Sequence, residues 1–227
     1  SSGGSAIEAA SAHGHIDIVQ LLIGKGADVN AQDSSGGSAI EAASAHGHID
    51  IMKLLLENGA GVNAQGLVGF TPLLSAFQKN ALQFLLENGA YVNSTRGRLE
   101  GNNALIEASK RGYKDIIQLL LDNGADVNSN YGCYNALFRA AQRGDIESVQ
   151  LLFDYGANFG PPNNLPEQDL PLYPIGEYYS NSLDAASRHG HEEIVQLLLE
   201  RGAIWPDESS RPDFSADDSS VHDSGSS

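Results

Sequence analysis

The residues best suited to chemistry are histidines. They come in pairs, His13-Gly14-His15, His46-Gly47-His48 and His189-Gly190-His191, and closely spaced imidazoles are a common start for a metal site. Such a site needs further ligands converging on the ion, and no cysteine or convergent carboxylate accompanies the three pairs. Their regular recurrence points instead to one position in a repeated turn. Glu8 and Glu41 could be paired acid and base groups, but each stands three residues after a serine, Ser5 or Ser38, which is the spacing of a capping box at a helix start. Cys133, the only cysteine, has no partner that would make it a nucleophile. Gly24-Lys25-Gly26 lacks the glycine spacing and the hydroxyl residue of a phosphate-binding loop. The chain is therefore expected to be no enzyme, with no cofactor and no metal.

What positions the histidines is a period. The eighteen residues SSGGSAIEAASAHGHIDI fill positions 1–18 and return at 34–51. Weaker forms of the same phrase follow as Thr71-Pro72-Leu73, Asn103-Ala104-Leu105, Asn135-Ala136-Leu137 and Asn181-Ser182-Leu183. A second phrase trails each: GKGADVN (24–30), ENGAGVN (57–63), ENGAYVN (87–93), DNGADVN (122–128), DYGANF (154–159) and ERGAIW (200–205). From the opening residue to the glycine of the second phrase is 21 residues in five units and 18 in the third. Six units of about 33 residues make a repeat array.

Each unit reads as two short helices. Ser, Thr or Asn caps the first, with Pro72 at the first helical position of the third unit. Small residues such as Ala9, Ala10, Ala42 and Ala43 let that helix pack closely, and Gly14, Gly47, Gly112, Gly144 and Gly190 end it. Apolar residues at helical spacing, as in Ile49, Met52, Leu55 and Leu56, mark the second helix. The Gly-Ala phrase stops it, and an Asp/Asn-rich turn leads onward. One helix pair cannot bury its own apolar face, so the core must form by stacking.

In these phrases the chain resembles the ankyrin repeat family, over roughly residues 1–203. The family pattern runs G-x-T-P-L-x-x-A-A-x-x-G-H and then I-V-x-L-L-L-x-x-G-A-D-V-N. Only the third unit has Thr-Pro-Leu outright, and the N-A-L variant is similar to arrays attached to fungal NOD-like receptors. The resemblance implies an all-α solenoid of helix-turn-helix units linked by short hairpin loops, with the second histidine of each pair tying the turn. It implies a protein-protein interaction module that meets partners at its hairpin tips and concave helix face. The alternative is a sensor or targeting segment excised from a larger enzyme or NOD-like signalling ATPase. A third reading has the open ends stacking end to end.

The expected layout is an array over 1–206, with repeats at about 1–33, 34–66, 67–95, 96–130, 131–159 and 177–206. A Pro-rich insertion fills 160–176, within a stretch to residue 180 that holds five of the eight prolines. Residues 207–227 are rich in Ser and Asp, with six acidic groups against one large aromatic, Phe214, and should be disordered. The net charge of −16 argues against nucleic acid. Apolar runs such as Leu54-Leu55-Leu56 are too short to span a bilayer. Lone Cys133 fits a reducing, intracellular setting, cytoplasmic or nuclear, and the chain is expected to be a monomer. The sequon Asn93-Ser94-Thr95 carries little weight without a secretion signal.

The partner surface is expected on units three to six. Hairpin tips are Ser and Gly in units one and two, and become Leu67, Val68 and Phe70, then Leu99, then Tyr131 and Tyr134, then Tyr178. Exposed helix ends run Lys79, Lys110, Arg111, Arg143 and Arg188, five of the thirteen basic residues in an acidic chain. Aromatic anchors beside cations suit an interface, and an acidic or phosphorylated segment is the expected ligand. Against this, apolar tips could pack on adjacent hairpins, and basic residues near a helix C-terminus complement its dipole.

Overall fold

A computed structural model describes residues 6–32, 36–66, 69–95, 103–131, 134–159 and 181–205. Among these described residues six helix pairs follow one another: α1 (Ala6–Ala12) and α2 (Ile16–Gly24), α3 (Ala39–His46) and α4 (Ile49–Glu57), α5 (Pro72–Ser75) and α6 (Lys79–Glu87), α7 (Ala104–Arg111) and α8 (Lys114–Asp122), α9 (Ala136–Arg143) and α10 (Ile146–Asp154), α11 (Ser182–Arg188) and α12 (Glu192–Glu200). The one strand pair among the described residues is a two-residue hairpin, β1 (Asn130–Tyr131) against β2 (Tyr134–Asn135). Single bridges, Gln32 to Ser38 and Thr95 to Asn103, close two other hairpins at their bases.

From the second unit on, the first helices begin where the caps said they would, and Ser5 lies outside the described residues. Ser38 Oγ accepts from the Glu41 N–H at 3.3 Å and Thr71 Oγ1 from Leu74 at 3.3 Å. Asn103, Asn135 and Asn181 do the same through Oδ1, at 2.9, 2.7 and 3.0 Å. Each satisfies a backbone donor that the helix cannot reach. Gly47, Gly112 and Gly144 end α3, α7 and α9 in the left-handed region, φ 73°, 73° and 83°, which a side chain would strain.

First helix stacks on first helix and second on second. α1 packs on α3, α3 on α5, α7 on α9 and α9 on α11; α2 to α12 form a parallel row of their own. Alanines make the first row close-fitting: Ala39, Ala43, Ala136, Ala140, Ala141 and Ala186 are fully buried. Buried Ser11, Ser44 and Ser109 return their hydroxyls to the Ile7, Ile40 and Leu105 carbonyls at 2.6–2.8 Å, so these three hydroxyls stay paired, whereas Ser182 Oγ and Asp184 Oδ2 of α11 are buried without a hydrogen-bond partner among the described residues. The second row contributes a stripe of Met52, Leu55, Leu82, Leu85, Ile117, Leu120, Val149, Leu152 and Leu198, all sealed from solvent. The core is thus continuous along the stack rather than centred in any unit.

Two departures matter. The three missing residues of the third unit cut its first helix to the single turn of α5, and Ala76 is already extended. Lys79 therefore opens α6 and is not the end of a first helix, which corrects the sequence reading. The reason is register: with the inter-helix turn gone, positions after Ser75 slide forward into the second helix. The insertion, by contrast, leaves the stack unbroken, because α11 and α12 pack directly on α9 and α10.

Candidate functional site

The ties between units come first, because they fix where every exposed side chain lies. The closing asparagine of each of the first four units reaches into the next. Asn30 Nδ2 donates to the Gly59 carbonyl at 2.9 Å while its Oδ1 accepts from Gly61 N at 3.0 Å. Asn63 bridges Gly89 and Tyr91, Asn93 bridges Gly124 and Asp126, and Asn128 bridges Gly156 and Asn158 in the same way. Asn93 is also the sequon residue, and its amide is committed to this bridge. The sequence reading missed this ladder, although the recurrence of Asn at one place in four phrases was visible.

The histidines are a second set of ties. His46 Nδ1 bonds to the Ala42 carbonyl at 3.0 Å, finishing its own helix, and His48 Nε2 bonds to the Ala12 carbonyl of the preceding unit at 3.2 Å. The two rings are nearly parallel, with centroids 6.0 Å apart. His189 and His191 repeat the arrangement, His191 reaching the Gln142 carbonyl at 3.2 Å. In the third unit Gln78 takes the role, donating to the His46 carbonyl at 3.1 Å. Among the described residues no group of three or more His, Cys, Asp or Glu could hold a metal ion. The imidazoles work as structural ties, as the turn position implied.

The basic residues named from the sequence are partly neutralised by carboxylates of the chain itself. Arg111, last residue of α7, donates from Nε to Glu107 at 2.7 Å, and Lys110 approaches the same carboxylate at 3.9 Å. The bond to Glu107 holds the Arg111 guanidinium above even its usual high pKa. The guanidinium also lies 4.1 Å over the Phe77 ring. Arg188 pairs with buried Asp184 at 2.9 Å. Arg143 has no carboxylate partner among the described residues and lies across Gly112, whose missing Cβ would fall 2.3 Å from Arg143 Nε. Lys114, which opens α8, pairs with Glu147 at 2.5 Å and is held above the usual lysine range by that bond.

Of the tip residues, Phe70 is half-buried and packs against the core, so it backs the stack more than it offers a free anchor. Tyr131 and Tyr134 are register partners in the backbone of the β1–β2 hairpin. Leu67, Val68, Leu99 and Tyr178 lie outside the described residues, as do Cys133, the insertion and the acidic tail. The shortened α5 leaves a shallow, mostly apolar cleft against α7, lined by Leu73, Leu74, Phe77, Ala108, Tyr113 and Ile116. Phe77 and its Arg111 cover stand at that cleft. Sequence reasoning did not find it, because nothing in the letters shows what a deleted turn uncovers. No helix of the described residues is long and apolar enough to cross a membrane.

The model for "Ankyrin repeats (3 copies)" matches residues 6–96 and again 79–163, and the model for a single "Ankyrin repeat" matches 181–209. No curated protein matches in sequence. Among solved structures, the crystal structure of the human ASB11 ankyrin repeat domain superposes with a TM-score of 0.70 at 27% identity, over 88% of this chain and 85% of that one. With the helix pairs, the histidine ties and the repeat phrases in one register, the chain belongs to the ankyrin repeat family.

Proposed function

We propose that this array binds an acidic or phosphorylated segment of a protein partner along the edge formed by units three to six. Ankyrin repeats are in general protein-protein interaction modules, and the finer reading rests on one observation. Arg111 and Arg143 end the first helices of adjacent units on a chain of net charge −16, and Arg143 carries no carboxylate partner among the described residues. A guanidinium fork presents several donors, so even Arg111, anchored by Glu107, retains N–H groups for a second anion. Lys110 and Arg188 extend the edge, with Tyr131, Tyr134 and Tyr178 as the aromatic residues the sequence adds beside it. Lys79 contributes from the start of α6. The array is taken to span 1–206, with the Pro-rich insertion at 160–176 and the acidic Ser/Asp-rich stretch at 207–227 read from the sequence alone. The setting is intracellular, cytoplasmic or nuclear, and the chain is a monomer in dilute solution.

The test is binding to immobilised acidic and phosphorylated peptides, followed by pulldown and mass spectrometry with the best motif as competitor. Charge reversal of Arg111 with Arg143, and separately Tyr134→Ala, should each weaken binding by about 1–3 kcal/mol with the fold intact. Normal binding by both variants, with loss on changing Ala45 and His46 instead, would place the surface in the other half.

A further inference from the structure

We infer that Asn88 is a site of spontaneous backbone modification, and that it reacts ahead of two asparagines sharing its sequence setting. Asparagine followed by glycine loses its amide without an enzyme, because glycine has no Cβ to hinder the approach of its nitrogen. The chain has three such steps, Asn58-Gly59, Asn88-Gly89 and Asn123-Gly124, each in the phrase that ends a second helix. Units one, five and six have Lys25, Tyr155 and Arg201 at that place. In the reaction the glycine nitrogen attacks the Asn Cγ and closes a cyclic succinimide. Its proton leaves with the side-chain nitrogen as ammonia, and water then opens the ring to isoaspartate or aspartate.

The fold holds all three closed in the same way. Each asparagine follows its helix with φ between −97° and −99° and ψ of 15° or 16°, which turns the glycine nitrogen away from the Asn side chain. The nitrogen that must leave, Nδ2, donates at 2.8 Å to the carbonyl four residues back, on Leu54, Phe84 or Leu119. The attacking nitrogen is occupied as well. Gly59, Gly89 and Gly124 donate to the Leu56, Leu86 and Leu121 carbonyls at 3.0, 3.1 and 3.0 Å. Ring closure therefore waits for the helix end to open, and its rate follows the fraction of time spent open.

What differs is the support behind each helix end. Asn58 and Asn123 belong to units whose first helices, α3 and α7, have eight residues each, whereas α5 in the unit of Asn88 has four. On its far side α5 meets α7 across the shallow apolar cleft rather than in the close packing of the other first helices. Asp122, beside Asn123, is tied across units by the Tyr155 hydroxyl, while Glu87, beside Asn88, accepts from Gln83 of its own helix. The end of α6 thus has the least to hold it shut. Reaction there removes the donor to Phe84 and sets a second carboxylate beside Glu87 at the negative end of the helix. As isoaspartate it also lengthens the main chain just before the Gly89 and Tyr91 groups that Asn63 grips, loosening unit three from unit two.

The test is to hold the full chain folded at mildly alkaline pH, sample it over weeks, and map its peptides by mass spectrometry, with electron-transfer fragments separating isoaspartate from aspartate. Asn88 should lose its amide about fivefold faster than Asn58 or Asn123. In guanidinium the three rates should rise and fall within about twofold of one another, because Glu57, Glu87 or Asp122 precedes each step and alanine follows it. Hydrogen exchange at the Gly89 amide should likewise outpace that at Gly59 and Gly124, and Asn88→Asp should melt below the parent. The inference fails if Asn58 or Asn123 keeps pace with Asn88 in the folded chain, or if the ranking persists in guanidinium. It fails equally if Gly89 exchanges no faster than the other two glycines, if folding does not slow the reaction, or if Asn88→Asp melts at or above the parent temperature.

Discussion

Asn93 grips Asp126 from one repeat away, accepting the Asp126 N–H at 2.9 Å while its own amide donates to the Gly124 carbonyl at 3.2 Å. This two-way bridge occurs four times in the described residues and joins hairpin to hairpin on the outside of the stack. Both partners are backbone groups near solvent, so water can replace part of what is lost. Asn93→Ala should therefore cost about 1 kcal/mol in urea unfolding, and Asn93→Asp, which keeps only the acceptor, somewhat less at neutral pH. A cost near zero for Asn93→Ala would mean the ladder is an ornament of packing.

The turn glycines divide into two kinds, and a pair of alanine substitutions separates them. Gly124 and Gly144 have nearly the same φ, 82° and 83°, but Gly124 has open space where Gly144 lies under His191. Gly124→Ala should cost about 1 kcal/mol for the left-handed conformation alone. Gly144→Ala must also push the His191 ring off the Gln142 carbonyl, adding about 1–2 kcal/mol. Equal losses in thermal unfolding would show that the ring moves away freely.

Much of this was legible in the letters, and the rest fails for identifiable reasons. The caps, the turn glycines and the helix pairs could be read because each depends on residues a few positions apart. The ladder escaped because its partners are backbone groups of the next unit, and a carbonyl such as that of Gly124 has no letter of its own. Lys79 was misplaced because the reading carried the normal register past a deletion. Glu107 was overlooked on the basic edge because its bond to Arg111 competes with any ligand there, and counting cations does not reveal a neutralising neighbour.

Shortening residues 160–180 to the seven residues that fill 128–134 in the preceding junction should leave the melting temperature within a few degrees of the parent, since α9–α11 and α10–α12 pack directly on each other. A large drop would mean that the insertion itself holds unit six in place. Hydrogen exchange provides a companion measurement. Position 160 is glycine where units one to four have the bridging asparagine, so α11 and α12 should open more readily than α7 and α8.

Tyr155 on the second row donates its hydroxyl to Asp122 and accepts from Gln118 at 2.6 Å. The bond to Asp122 raises the phenol above its usual value near 10. A raised folded pKa means that the neutral form is favoured by folding, so the contribution is complete below pH 10 and is lost only as pH climbs through the shifted value. Stability should thus be indifferent to this group at neutral pH. In an ultraviolet titration one tyrosine should ionise later than the others, and Tyr155→Phe should remove that late phase. A late phase that survives the substitution would assign it elsewhere.

In the bridge from Asn30 to Gly59 and Gly61, plug and socket lie one unit apart, and every unit built to this pattern carries one of each. Copying a whole unit into the gene therefore copies both halves, and the new junctions close with the same bonds as the old. Copying a half unit leaves a plug facing no socket. Length in such a chain is free to change in whole words and is checked against fragments of words, so a doubled stretch like 1–18 and 34–51 is the kind of change this architecture accepts without any compensating substitution.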